Sequence, residues 1–296
     1  MDEDGTRVPG GHLSPVRGDS PRGVRRSFEE LDDLDRRIIV ALQHDGRASW
    51  TAIAESAGSS VPTVTRRGQQ LIDDNLVRVT VMPQLGASGP IGLFFVRITC
   101  EPGCQLAVAA ELIENPDVRF VSLVTGGYDI MAELVVHGGA GNYARLVQDL
   151  QSSPGIERWR SDLVLHVHKV GHDWGSQLFR ESMGQATESE PREPVACEPG
   201  HFDAVDWRLV AELQRDGRQT FKALGAALGI NESSARRRLD RLLGNGCVDV
   251  VTLISAAALG FGAETLVTVQ VDPAHIEEVA RELAGYSAVR YLAALL

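Results

Sequence analysis

The chain has 296 residues, 43% of them apolar, and a formal net charge of −11, so it is long enough to bury one or more sizeable cores. The acidic balance excludes a protein that coats nucleic acid by bulk charge. It leaves room for a local basic face, because screening over about 10 Å hides distant charges. No run of about 18 apolar residues is present, so no membrane span is expected. The first residues are polar, without the apolar stretch of a secretory signal. The expected compartment is therefore the cytoplasm, at the nucleoid if DNA is bound. Cys100, Cys104, Cys197 and Cys247 are too scattered for a disulfide framework, and nothing in the sequence asks for a cofactor.

Residues 1–27 are rich in Gly, Pro and Arg and read as a disordered tail. From residue 28 the pattern becomes helical. Leu34, Ile38, Ala41 and Leu42 fall on one helix face, and Gly46 in "LQHDGR" sits where a left-handed residue would end the helix. Ser49 caps a short second helix that stops at Gly58, and Ser60 caps a third, "VPTVTRRGQQLIDD". A strand around Val77 and Val79 follows. Three helices, a tight glycine turn before the third and then a strand describe a winged helix-turn-helix, here domain 28–85.

The period then changes. "LFFVRIT" (93–99) reads as a strand, "CQLAVAAELIEN" (104–115) as a helix, and "VRFVSLVT" with "DIMAELVV" as a strand pair. "NYARLVQDLQSS" (142–153) is a helix, and "IERWRSDLVLHVHKV" (156–170) a last strand. That βαββαβ order is the ferredoxin-like unit and occupies 86–174. A polar linker spans 175–201. The pattern then begins again: "LDDLDRRIIVALQHDGR" (31–47) aligns with "FDAVDWRLVAELQRDGR" (202–218) at an offset of 171 residues. The offset holds without a gap for about ninety positions, to Leu296. Gly217, Thr220, Gly229 and Asn231 take the places of Gly46, Ser49, Gly58 and Ser60. The second helix-turn-helix is placed at 202–256 and a partial second ferredoxin-like domain at 257–296. The fold class is thus α+β: a winged helix-turn-helix and a ferredoxin-like domain, repeated in tandem with the second copy incomplete.

With "LDDLDRRIIVALQHDGR", "TVTRRGQQL" and "VTGGYDI" in place, the chain resembles the Lrp/AsnC (feast/famine) transcription regulators. The likeness covers 31–170 and 202–296. It implies binding to double-stranded DNA, homo-oligomers built through the ferredoxin-like sheets, and control by an amino acid or related small metabolite. It implies no enzyme activity. Family members carry one module, so this chain resembles a covalent pseudo-dimer. Only Lys169 and Lys222 are lysines among the 29 basic residues, a bias that reads as a GC-rich genome of the actinobacterial kind.

A recognition helix needs short polar side chains at its start for base edges and arginines for phosphates. In the second unit Ser233, Ser234 and Arg236 are the base-edge candidates, with Arg237, Arg238 and Arg241 on or near the DNA backbone. In the first unit Thr63 and Thr65 are placed at bases, and Arg66 and Arg67 on phosphates. Gly68 stands mid-helix where the second unit has Leu239, at a cost of roughly 1 kcal/mol, and Gln69 and Gln70 replace Asp240 and Arg241. The second unit is therefore expected to bind DNA more strongly. By resemblance, Gly126, Gly127, Tyr128 and Asp129 line the effector pocket; their local pattern alone is equally that of a hairpin needing positive φ.

Three lesser signals read as structural. "HVHKVGH" could hold a metal through His166, His168 and His172 but reads first as a partly buried strand edge, so no metal site is expected. "CEPGC" reads as two small buried residues, and "GGAGNYARL" as a loop that lacks the lysine of a phosphate-binding motif. Two other readings compete with the regulator. Sirohaem decarboxylases resemble the same architecture, but the strands "GLFFVRITC" and "ETLVTVQV" offer Arg97 and no histidine. A degenerate regulator acting through a complete family partner is the other.

Overall fold

A computed structural model describes residues 31–84, 91–115, 117–137, 140–171, 197, 199–254, 264–286 and 288–296. The expected tail and almost all of the expected linker, together with His172, lie outside them. In the first unit, α1 (Asp33–His44), α2 (Trp50–Ala57) and α3 (Val61–Asp73) lead into β1 (Val77–Pro83). The expected caps form: Ser49 Oγ accepts from the Ala52 amide and Ser60 Oγ from the Thr63 amide. Gly58 takes the left-handed conformation that ends α2, at φ 64°. In the ferredoxin-like part, β2 (Ile91–Cys100), α4 (Gln105–Glu114), β3 (Val118–Leu123), β4 (Ile130–His137), α5 (Ala140–Ser152) and β5 (Ile156–Val170) follow. The second unit repeats the first as α6 (Ala204–Arg215), α7 (Phe221–Leu228), α8 (Glu232–Gly244) and β6 (Val248–Ile254). It is followed by α9 (Ile276–Ala284) and β7 (Tyr291–Leu295).

The wings start in the cores of their own units, at Val77 and Val248, and then cross over. β1 and β6 pair with each other in an antiparallel ribbon, from Val77 opposite Ile254 to Pro83 opposite Val248. Each strand also completes the other unit's interior: Ile254 lies in the core of α1–α3, and Val81 in the core of α6–α8. The two units are thus one interlocked body.

The repeated Asp-Gly-Arg segments are the lock. Gly46 and Gly217 were expected as left-handed helix stops; neither has positive φ. α1 and α6 end instead at extended Asp45 and Asp216, whose amides still bond back into the helix. Glycine is required here by crowding. A Cβ on Gly217 would lie 2.6 Å from the carbonyl carbon and oxygen of Val79, and one on Gly46 would lie 2.7 Å from Val79 Cγ1. The Gly217 amide donates to the Val79 carbonyl at 3.0 Å. The arginines cross over: Arg47 donates to the Gly217 and Gln219 carbonyls, and Arg218 to those of Gly46 and Ala48. Each guanidinium also lies over an aromatic ring of the opposite unit, Arg47 4.8 Å from the centre of Phe221 and Arg218 4.2 Å from that of Trp50.

The ferredoxin-like part has the expected βαββαβ elements, its strands lying antiparallel in the order β3-β4-β2-β5, and α4 and α5 cover the sheet to enclose a core around Val96, Ile98, Ile130 and Leu134. The segment 257–296 takes a form that the repeat does not announce. Among the described residues it builds no sheet of its own. β7 joins the outer edge of β5 as a fifth strand, Val164 opposite Leu295 and Val170 opposite Tyr291. The Tyr291 hydroxyl reaches the Glu133 carboxylate at 2.7 Å. Residues 264–271, the counterpart of β2, run without strand pairing and expose Leu266, Val267 and Val269. A sheet needs its neighbours; β3 has β4 beside it, whereas β7 has only the first module's edge.

Gly217→Ala is expected to destabilise the chain by about 1–3 kcal/mol through overpacking against the ribbon. Gly200→Ala, where an added Cβ meets nothing within 4 Å, should stay within about 0.5 kcal/mol. Urea unfolding of the two variants beside the parent measures the difference.

Candidate nucleic-acid and effector sites

Both candidate recognition helices run 13 residues, α3 from the Ser60 cap and α8 from the Asn231 cap. Gly68 therefore does not interrupt α3. A Cβ there would meet the Trp50 ring at 2.4 Å, and the second unit shows the complementary exchange, with Phe221 and Leu239 at the matching positions. Leu239 lies in the second unit's core, and Phe221 packs against that core. The weakness assigned to α3 from helix propensity is a packing choice.

The predicted phosphate arginines divide into two kinds. Arg67 is turned back onto α1, where its Nη1 pairs with Asp32 Oδ2 and, at 3.1 Å, with Asp35 Oδ1. Arg238 does the same to Asp203 and Asp206, at 2.7 Å each. Asp35 and Asp206 are almost wholly buried, so these arginines neutralise interior carboxylates and brace the recognition helix against the first helix of its unit. Both residues were expected on phosphates; here the Nη1 of each faces carboxylates of its own unit. Arg241 is partly committed in the same way, to Asp206 Oδ2 and, at 2.7 Å, to the His201 carbonyl.

Arg66, Arg236 and Arg237 are exposed. Arg236 lies 4.4 Å over the Phe221 ring, and Arg237 bonds Ser234 Oγ at 3.3 Å. Ser233 Oγ donates to Asn231 Oδ1, and Thr63 Oγ1 shares a 2.8 Å hydrogen bond with Ser60 Oγ; both hydroxyls therefore belong to the helix caps. Thr65 and Ser234 are half-buried. A shallow groove runs beside α8, lined by Gly200–Asp203, Ser234, Arg237 and Arg241. The exposed cations remain more numerous on α8 than on α3.

The predicted effector residues sit in the turn from β3 to β4. Gly126 has φ 124°, which only glycine adopts without strain, and the space where a Cβ of Gly126 or Gly127 would stand is open. Asp129 Oδ2 accepts from the Cys100 amide at 2.8 Å, and the Asp129 amide donates to the Ile98 carbonyl. Its carboxylate thus clips the turn to the end of β2. Tyr128 is partly exposed, 5.7 Å from the Arg97 guanidinium, which is itself held in a buried pair with Asp162. His166 and His168 pack edge to face on β5 beside β7, burial lowers the His168 pKa, and burial pushes the Cys100 thiol up. The Gly-rich segment read as a loop is already helical from Ala140, where α5 begins.

The family model for the AsnC-type helix-turn-helix domain matches residues 31–72 and again 202–243, and that for the Lrp/AsnC ligand binding domain matches 93–173. An HTH-type transcriptional regulator of Pyrococcus furiosus is 33% identical over 144 residues, which make up 48% of this chain and 97% of that one. The chain belongs to the Lrp/AsnC family. It is a helix-turn-helix transcriptional regulator whose DNA-binding unit occurs twice and whose ligand-binding domain is matched once. The Bkd operon transcriptional regulator of Pseudomonas aeruginosa is 30% identical over 140 residues, 46% of this Lrp/AsnC chain and 92% of its own. Both relatives are thus one module long. Among solved structures, a sirohaem decarboxylase shares the fold over 90% of this chain and 77% of its own, at a TM-score of 0.55 and 14% identity. No helix among the described residues is long and apolar enough to cross a membrane.

Arg67→Ala and Arg238→Ala should each lower stability by about 1–3 kcal/mol, since a buried carboxylate loses a charged partner. Arg66→Ala and Arg237→Ala should leave it within about 0.5 kcal/mol. The amide of Asp35, and then Arg67, outweigh partial burial and hold the Asp32 pKa below its ordinary 3.8. The stabilisation from Asp32 is therefore complete above about pH 4 and is lost as pH falls through the depressed value. Thermal melts of Asp32→Asn from pH 6 to pH 2.5 should show a shallower acid loss than the parent.

Proposed function

We propose that one chain of this Lrp/AsnC regulator reads an operator made of two unlike half-sites, one beneath each recognition helix. The observation that carries this is the interlock: β1 pairs with β6, and Arg47 and Arg218 bond reciprocally to the opposite unit. Two-fold dimers of helix-turn-helix proteins match palindromic DNA. Here the two helices share a frame but differ in sequence, so the half-sites differ too. Arg66 on α3 and Arg236, Arg237 and Arg241 on α8 neutralise phosphates, with Arg67 and Arg238 as braces. Thr63, Thr65, Ser233 and Ser234 lie at the base-facing ends. The α8 half binds more strongly because it exposes more cations.

The ferredoxin-like domain takes an amino acid or related metabolite at the 125–129 turn, where the amides of Gly126 and Gly127 receive a carboxylate and Tyr128 packs on the rest. The match of residues 93–173 to the Lrp/AsnC ligand binding domain supports a small-molecule effector. Copies of the chain associate through the ferredoxin-like sheets in the cytoplasm, at the nucleoid. The chain works by binding, without catalysis. The decarboxylase shares its architecture, but Arg97, the cation that the first sheet strand offers a tetrapyrrole, is already paired with buried Asp162.

Operator DNA selected from a random library with the full chain, then footprinted, tests the reading. Arg66→Ala should weaken protection of one half-site and Arg237→Ala that of the other, each flattening the salt dependence by about one unit of slope. Equal loss over both halves from either variant would overturn it. For the effector, a thermal-shift screen of amino acids should find one that stabilises the parent and fails to stabilise Tyr128→Ala; no stabilising amino acid sinks that assignment.

A further inference from the structure

The second DNA-binding unit carries a cluster that the first does not. Cys197 lies just before the short turn Pro199–His201 that leads into α6, and Cys247 stands at the root of β6. Both thiols are buried at the rim of the α6–α8 core. His201 Nδ1 points between them, 3.7 Å from Cys197 Sγ and 3.3 Å from Cys247 Sγ, and the three donor atoms lie within 4.8 Å of one another. No disulfide joins the cysteines. At the offset of the repeat, the first unit has Arg26, Glu30 and Leu76 at these positions. The cluster is therefore no inheritance of the shared fold.

The donor set is chemically selective. Two thiolates and one imidazole make a soft-to-borderline site, suited to Zn(II) and lacking the oxygen atoms that Mg(II) or Ca(II) requires. Tetrahedral zinc, with Zn–S about 2.3 Å and Zn–N about 2.0 Å, places its sulfur and nitrogen ligands about 3.6 Å apart. The two observed separations bracket that value, and the two sulfurs lie within 4.8 Å of each other. Each thiol would lose its proton to solvent as its sulfur bonds the metal, and a water or another small ligand would take the fourth position.

We propose that Cys197, His201 and Cys247 form a zinc site that staples the segment entering the second helix-turn-helix to the root of its wing. The staple reaches the recognition helix through two of its residues: the Cys247 amide donates to the Leu242 carbonyl of α8, and His201 acts through its own carbonyl. The His201 carbonyl accepts from Arg241 of α8, and the same guanidinium holds Asp206 of α6. Fixing His201 therefore fixes the lower end of α8 against α6 in this unit alone.

The full chain, reduced, freed of metal by a chelator and titrated with Co(II), tests the site. Expected are one equivalent bound per chain, a thiolate-to-cobalt charge-transfer band in the near ultraviolet, loss of the band on adding Zn(II), and a rise in Tm with Zn(II). Cys197→Ser and Cys247→Ser should lose the band, whereas the Cys100→Ser/Cys104→Ser double variant keeps it. The parent titration needs no variant, so a serine variant that misfolds leaves the test standing. The proposal is overturned if the reduced parent shows no cobalt band. It is equally overturned if the Cys197→Ser/Cys247→Ser double variant keeps the band, or if Cys197 and Cys247 are recovered only as a disulfide that takes up no metal once reduced.

Discussion

The architecture depends on a contact between charged side chains and bare backbone. Arg47 and Arg218 each place a guanidinium fork on two carbonyls of the opposite unit and stack it on that unit's aromatic ring. A guanidinium suits this position because it cannot give up its proton at any ordinary pH and its donors are held in one plane. Burial lowers the pKa of both groups, with Asp216 and Asp45 opposing the shift. The forks meet the carbonyls only because the neighbouring residues are glycines, which let the ribbon pass at contact distance. Both recognition helices then take their positions from the ribbon, and each core closes only when the other unit's strand is in it.

Much of this was legible in the sequence, and what was not has a common cause. Caps at Ser49, Ser60, Thr220 and Asn231, the stops at Gly58 and Gly229 and the βαββαβ order all depend on neighbours a few residues away, and all appear as expected. Gly46 and Gly217 were visible, but their purpose was not, since what crowds them comes from the other copy. The same holds for Gly68, whose partner is Trp50 on α2, and for Arg67 and Arg238, whose acids lie on α1 and α6. Spacing showed which residues are present in the candidate site; only the packed structure showed which arginines are already committed. The Cys–His cluster left a short signal, Cys197 four residues before His201, while Cys247 is 46 residues further on. Nothing local joins them.

The two units have diverged around a shared frame. Trp50 with Gly68 against Phe221 with Leu239 is a volume exchange that leaves the helices equal in length. By contrast, the exposed faces of α3 and α8 differ in charge, and the Cys–His cluster exists on one side only. Interior differences compensate, and surface differences do not. That is the pattern expected when each copy keeps the fold while acquiring its own ligand chemistry.

The ribbon between β1 and β6 has one more consequence, in concentration. Two separate polypeptides forming such a ribbon must meet, and the complex dissociates on dilution. When both strands lie on one chain, closure is unimolecular and proceeds at a fixed effective concentration set by the connecting segment. On the proposed operator of two half-sites, occupancy would then rise in proportion to the number of chains, not to its square. The joined copies also pair each other's wings within one chain.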